Sequence, residues 1–109
     1  MSVNNETKNV KIIKKGFLMK KSKYLGTWNR RFLVLTDNDI LSYINDQPNS
    51  ECTMDLQLSE CYGPKYFNTD DPEYQYGFSF ANNGKIYCFK TKDKEESDSW
   101  FTQLREAMA

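Results

Sequence analysis

Between residues 10 and 91 the apolar residues fall into short runs broken by turn formers, and only beyond Asp93 does their spacing become helical. That order constrains the chain most: several strands come first, then one helix, and all must share one core. Residues 10–21 and 28–36 read as two strands able to pair antiparallel through "KSKYLG". Alternate side chains of a strand share a face, so Gly16, Leu18 and Lys20 lie together in the first strand. In the second, Asn29, Arg31, Leu33 and Leu35 lie together in the same way. Pairing brings Leu18 near Leu33 and Leu35, and Lys20 near Arg31 and Asn29. The inward face is therefore apolar at one end and basic at the end nearest the connection.

Further strands are expected at 39–44, 52–58, 59–64, 74–80 and 84–91. The last two flank "ANNG", a hairpin signal because Asn and Gly tolerate positive φ. The stretch "PKYFNTDDPE" (64–73), with two prolines and an acidic knot, reads as a loop. Asp93 followed by Glu96 forms a capping-box pattern, and Trp100, Leu104 and Ala107 or Met108 then share a helical face. The expected class is all-β with one C-terminal α-helix, a single domain over 10–109 behind a flexible polar tail at 1–9. With 109 residues, 39% hydrophobic and 15% aromatic, the chain has enough apolar surface for one core.

Zero net charge conceals a strong asymmetry. Residues 1–36 hold nine bases and one acid, whereas 37–109 hold six bases and fourteen acids. The fold is thus expected to present one basic surface, which steers phosphates, anionic lipid or nucleic acid. Histidine is absent, which removes an imidazole base, a Cys–His pair and histidine-ligated metal, so a binding module is expected rather than an enzyme. Cys52, Cys61 and Cys88 match no metal or redox spacing and fit small buried side chains in a reducing, cytosolic setting. The acids Asp70, Asp71 and Glu73 lack the ligand periodicity and glycine of a calcium loop, so neither metal nor cofactor is expected. No RNP-like aromatic motif or recognition helix supports nucleic acid as a partner. No apolar run approaches a membrane span, and no signal-peptide pattern opens the chain.

The segments "GFLMK" (16–20), "TWNRRFLVLTDN" (27–38), "LSYI" (41–44), "YGFSF" (76–80), "IYCFKT" (86–91) and the helical Trp100 carry a resemblance over residues 10–109. In that order and spacing they resemble the pleckstrin homology (PH) domain. The first-loop length, with "KYLGTWNRRF", looks most like the N-terminal PH domain of protein kinase B. The resemblance implies a seven-stranded bent antiparallel barrel capped at one end by the helix, with a basic mouth at the other. It also implies phosphoinositide binding, with Lys20 and Arg31 on ring phosphates, Tyr43 donating its hydroxyl and Lys85 contributing. Asn29 stands where tight binders carry Lys or Arg, so a neutral hydrogen bond replaces a charge-assisted one of roughly twice the strength.

Such a mouth uses a planar guanidinium at Arg31 for bidentate contacts and a point charge at Lys20. Lys21 and Lys23 would meet further phosphates or anionic lipid, and Tyr24 and Leu25 would form a membrane-contact tip. The expected role is a membrane-targeting module of a larger signalling protein, cytoplasmic and recruited peripherally to phosphoinositide-bearing membrane. The alternative is a protein-interaction module for a peptide or small GTPase, with weak or nonspecific lipid binding.

Overall fold

The first hairpin organises the molecule, because it carries both the apolar inward stripe and the basic end. The computed structural model describes residues 10–22 and 26–109. The 1–9 tail and the expected contact residues Lys23, Tyr24 and Leu25 lie outside the described residues. Strands β1 (Ile12–Lys21), β2 (Trp28–Thr36), β3 (Asp39–Tyr43), β4 (Cys52–Gln57), β5 (Cys61–Tyr66), β6 (Gly77–Asn82) and β7 (Lys85–Lys90) precede one helix, α1 (Lys94–Met108). All pairings are antiparallel, and the seven strands form one sheet in the order β4-β3-β2-β1-β7-β6-β5. The expected class, all-β with a C-terminal helix packed on the sheet, is the one observed.

Register explains which side chains meet. Gly16 faces Leu33, Leu18 faces Arg31 and Lys20 faces Asn29. Directly opposed residues share a face, so these six positions point inward together. Leu33 and Leu35 are fully buried, as are Ile40, Phe78 and Phe89 from neighbouring strands. The helix closes this core with Trp100, Phe101 and Leu104. Trp100 sits beside Gly16, where a Cβ would lie 3.8 Å from its ring. Gly16 and Lys20 are four positions apart, about 13 Å along an extended strand. The helix therefore plugs the end away from the basic residues.

Local chemistry sets the boundaries. The Asp93 side chain accepts a hydrogen bond from the Glu96 amide at 2.8 Å, which caps one orphan donor of the first helical turn. Asn83 and Gly84, at φ of 51° and 80°, form the two-residue β6–β7 turn expected from "ANNG". Of the boundaries that differ from expectation, two have a clear local cause. Strand β5 continues to Tyr66, through Pro64, because its register slips between Tyr62 and Lys65 on an edge strand, where a missing N–H is tolerated. Strand β6 starts only at Gly77, because residues 72–74 form a 3₁₀ turn whose amide at Glu73 bonds to the Asp71 carboxylate at 3.0 Å. Of the cysteines, only Cys61 is buried; Cys52 is exposed and Cys88 half-buried.

Gly77 is required by close approach. A Cβ there would stand 2.6 and 2.8 Å from the Phe67 ring and 2.9 Å from the Tyr74 carbonyl. Gly77→Ala is expected to destabilise the fold by about 1–3 kcal/mol through overpacking. A urea midpoint equal to that of the unaltered chain would contradict this packing.

Tyr66 ties β5 to the helix. Its ring stacks on Phe101 at 4.0 Å, and its hydroxyl donates to Asp98 at 2.6 Å. Lys94 bonds the other Asp98 oxygen at 2.6 Å. Desolvation, and then the Asp98 carboxylate, push the Tyr66 phenol up to about 12. The folded form thus keeps this proton where an unfolded tyrosine, near 10, has lost it. Stability from this contact is present below pH 10 and lost between about 10 and 12. Alkaline unfolding of Tyr66→Phe is expected to lack that component, measurable by urea titrations across this window.

Candidate functional site

The basic end is built from three strands. Lys20 ends the inward stripe of β1, with Asn29 opposite it and Arg31 diagonal to it on β2. On β7, residues Lys85, Tyr87 and Phe89 share the inward face, since Phe89 and Tyr87 oppose the buried Phe78 and Phe80 of β6. Lys20 pairs with Phe89, so Lys85 and the β6–β7 turn lie beyond it, toward the β1–β2 connection. The Lys20 ammonium stands 5.9 Å from the Tyr87 ring centre. Arg31 is steadied by its own chain, with Nη1 donating to the Arg30 carbonyl at 2.8 Å.

Lys20 and Arg31 are close enough to feel each other. Burial first, and then the Arg31 charge, pull the Lys20 ammonium below its ordinary value. No carboxylate among the described residues pairs with either side chain, since the ion pairs there involve Lys21 and Lys94. Two cations held together without a counter-ion give a strong local positive potential, the condition under which an incoming anion gains most.

Strands β1 and β7 pair only at Met19–Lys90 and Lys20–Phe89, and beyond these they part. The gap is a cleft of about 310 Å³ lined by Lys20, Lys21, Lys85, Tyr74, Tyr87 and Cys88. The structure thus brings Lys20, Asn29, Arg31 and Lys85 to one end of one face.

Two expected residues point elsewhere. Tyr43 opposes Phe32 across β2–β3, while the inward positions beside it are Leu33 and Ser42. It therefore lies on the outer face, where burial and then Cys52, Asp55 and Asp39 push its phenol up. Lys21, the last residue of β1, also turns outward. Its ammonium bonds Glu73 Oε2 at 3.3 Å and the Tyr74 hydroxyl, and lies over the Tyr74 ring at 4.4 Å. Arg30 faces outward too, as strand parity requires, stacked 3.6 Å over Phe17.

Sequence reasoning missed the outer cluster around Glu73. Trp28 donates its indole N–H to Glu73 Oε2 at 3.0 Å, and Lys90 donates to the Glu73 carbonyl at 2.8 Å. Lys90 also lies 4.5 Å from the Trp28 ring centre. Parity alone contained one signal: Trp28 alternates with Arg31 and Leu33, so it had to face outward rather than into the core.

Among the described residues no helix is long and apolar enough to cross a membrane, and no group of His, Cys, Asp and Glu is placed to hold a metal ion. No curated protein sequence matches this chain. Solved structures do. The Slm1 PH domain in complex with phosphoserine is 28% identical, with a TM-score of 0.75, over 89% of this chain and 95% of that one. The Slm1 PH domain in complex with inositol-4-phosphate is 25% identical, TM-score 0.75, over 90% and 96%. The C-terminal PH domain of pleckstrin, 18% identical with a TM-score of 0.75 over 90% and 98%, shares the fold. The PH domain family model matches residues 12–109, nearly the whole chain. With seven antiparallel strands, a capping helix and that match, the chain belongs to the PH domain family, a non-catalytic module.

Proposed function

We propose that this domain is a phosphoinositide-binding module that brings a larger, cytoplasmic signalling protein to the membrane surface. The observation that carries the reading is the Lys20–Arg31 pair, adjacent on the inward face and without a carboxylate partner among the described residues. Arg31 supplies the bidentate fork, Lys20 the point charge, Asn29 a neutral hydrogen bond, and Lys85 a further cation from the β7 side. The Slm1 complexes with phosphoserine and inositol-4-phosphate support a phosphate monoester as the ligand class. Lys23, Tyr24 and Leu25 keep the lipid-contact role given by their residue types, and the protein kinase B likeness of that stretch belongs to the same reading.

The test is co-sedimentation with phosphatidylcholine vesicles carrying single phosphoinositides, with phosphatidylserine as the charge control. Preference for one headgroup over phosphatidylserine supports a stereospecific mouth; equal binding to every anionic vesicle reduces the site to electrostatic attraction.

One observation favours a protein-interaction reading as the alternative. A groove of about 360 Å³ beside the helix is lined by Tyr66, Phe67, Tyr74 and Tyr76, and reaches the buried hydroxyl of Ser97, which has no partner among the described residues. Saturable peptide binding that survives loss of Lys20 and Arg31 would favour it.

A further inference from the structure

Strands β1–β4 turn one side away from the core, and that side is not uniformly polar. The helix and strands β5–β7 pack on the inward side, through Trp100, Leu104, Phe78 and Phe89. The outer side carries Phe17, Phe32, Leu41 and Tyr43, all only half-buried, with Val34 buried among them. One row across the four strands fixes the pattern. Lys15 opposes Val34, Val34 opposes Leu41, and Leu41 opposes Asp55. Directly opposed residues share a face, so from β1 to β4 the row reads cation, apolar, apolar, anion. Three strand spacings separate the backbones of Lys15 and Asp55, about 14 Å, which keeps the two charges of one chain apart. Both residues are exposed, and neither has an ion pair among the described residues.

Such a row is complementary to itself. A two-fold axis parallel to the strands, between β2 and β3, lays β1 of one copy over β4 of a second, and β2 over β3. Lys15 then meets Asp55 of the second copy, twice by symmetry, and Val34 meets Leu41. In the next row Phe32 opposes Tyr43 within one chain, so the same rotation sets Phe32 on Tyr43 of the second copy. Aligned sheets stack about 10 Å apart, a gap that the flexible stem of Lys15 can cross. A two-fold across the strands would instead lay β1 on β1 and bring the cations together.

We infer that the outer face of β1–β4 is a self-association surface, on which a second copy of this chain docks by an isologous two-fold contact with Lys15 against Asp55. The contact does not depend on what the inward mouth binds. Because the axis runs parallel to the strands, both β1–β2 connections, and with them both basic ends, point the same way. A pair thus presents two basic ends to one surface, where joint engagement multiplies affinity. The face measures about 14 Å across and, over the five residues of β3, about 17 Å along. That is below the roughly 800 Å² per partner of a standard interface, so the pair forms at high protein concentration rather than permanently.

Sedimentation equilibrium of the whole chain, without lipid, from about 10 μM to about 1 mM tests this. The unaltered chain is expected to pass from monomer towards dimer across that range. Lys15→Glu sets two acids together at both symmetric contacts, and Asp55→Lys sets two cations together. Each is expected to weaken association roughly tenfold, through two reversed surface ion pairs. Mixing the two variants in equal amounts places opposite charges at both contacts and should recover association. The combined Lys15→Glu/Asp55→Lys chain should recover it by itself. Both positions are exposed, so the reversals leave the core untouched, and recovery on mixing shows that each variant is folded. Lys65→Glu, the same charge change on β5, is expected to alter nothing. A chain that stays monomeric at every concentration, as it would if another protein covers this face, overturns the assignment. Association that neither single reversal weakens, that mixing does not recover, or that Lys65→Glu weakens equally overturns it as well.

Discussion

Lys20→Ala combined with Arg31→Ala is expected to weaken binding to phosphoinositide vesicles a hundredfold or more, while leaving the fold intact. Hydrogen bonds to charged groups contribute about 1.5–3 kcal/mol each, and two such contacts sum to about 3–6 kcal/mol, or more than two decades in affinity. Stability should move the other way or not at all. The folded state disfavours the charged form of Lys20, through burial and then the neighbouring Arg31, and no carboxylate among the described residues pairs with either charge. Substitution relieves that strain, so the melting temperature is expected to stay level or rise slightly. Loss of binding together with a lowered melting temperature would contradict the reading, since the pair would then be structural. Vesicle co-sedimentation and thermal unfolding on the same preparations separate the two outcomes.

The largest effect on stability is expected at Trp100. Its side chain is fully buried at the centre of the helix face, against Gly16 and under the Lys14 ammonium at 5.0 Å. Trp100→Ala should cost about 3–5 kcal/mol, through lost apolar burial and the cavity left behind. That is a large share of the roughly 5–15 kcal/mol a domain has in total. Trp100→Phe should cost far less than loss of ring volume suggests. The indole N–H is buried and has no hydrogen-bond partner among the described residues, so replacing it by a hydrocarbon edge removes an unsatisfied donor worth about 1–3 kcal/mol. Urea denaturation of both variants checks the contrast. A Trp100→Phe cost as large as its lost ring volume alone requires would show that the N–H does not burden the fold.

Much of the architecture was legible because it is written in local alternation. In "WNRRFLVL" the side-chain period of two separates Asn29, Arg31, Leu33 and Leu35 from their neighbours, whatever the rest of the chain does. The same reading placed Lys20 at the basic end and turned Arg30 away from it, and both placements hold in the register. The helix start was equally local, since Asp93 and Glu96 lie within one turn of each other. Tyr43 escaped this logic. Its strand alternates cleanly, but alternation within one strand does not say which of its faces joins the core. Pairing with β2 settled that, by setting Ser42 opposite Leu33 and Tyr43 opposite Phe32.

By itself, then, the sequence determined the strands, the helix, the apolar stripe and the crowding of cations at one hairpin, all consequences of spacing between near neighbours. Tertiary structure alone decided how those cations are used. Lys20 and Lys21 look alike in the sequence, yet one lies beside Arg31, with no carboxylate partner among the described residues, and the other meets Glu73, 52 residues away. Glu73 itself read as one more acid in a solvated loop. No local pattern records that pairing, because it arises only when the 3₁₀ turn at 72–74 is packed against Trp28 and Lys90 by the folding of the whole sheet.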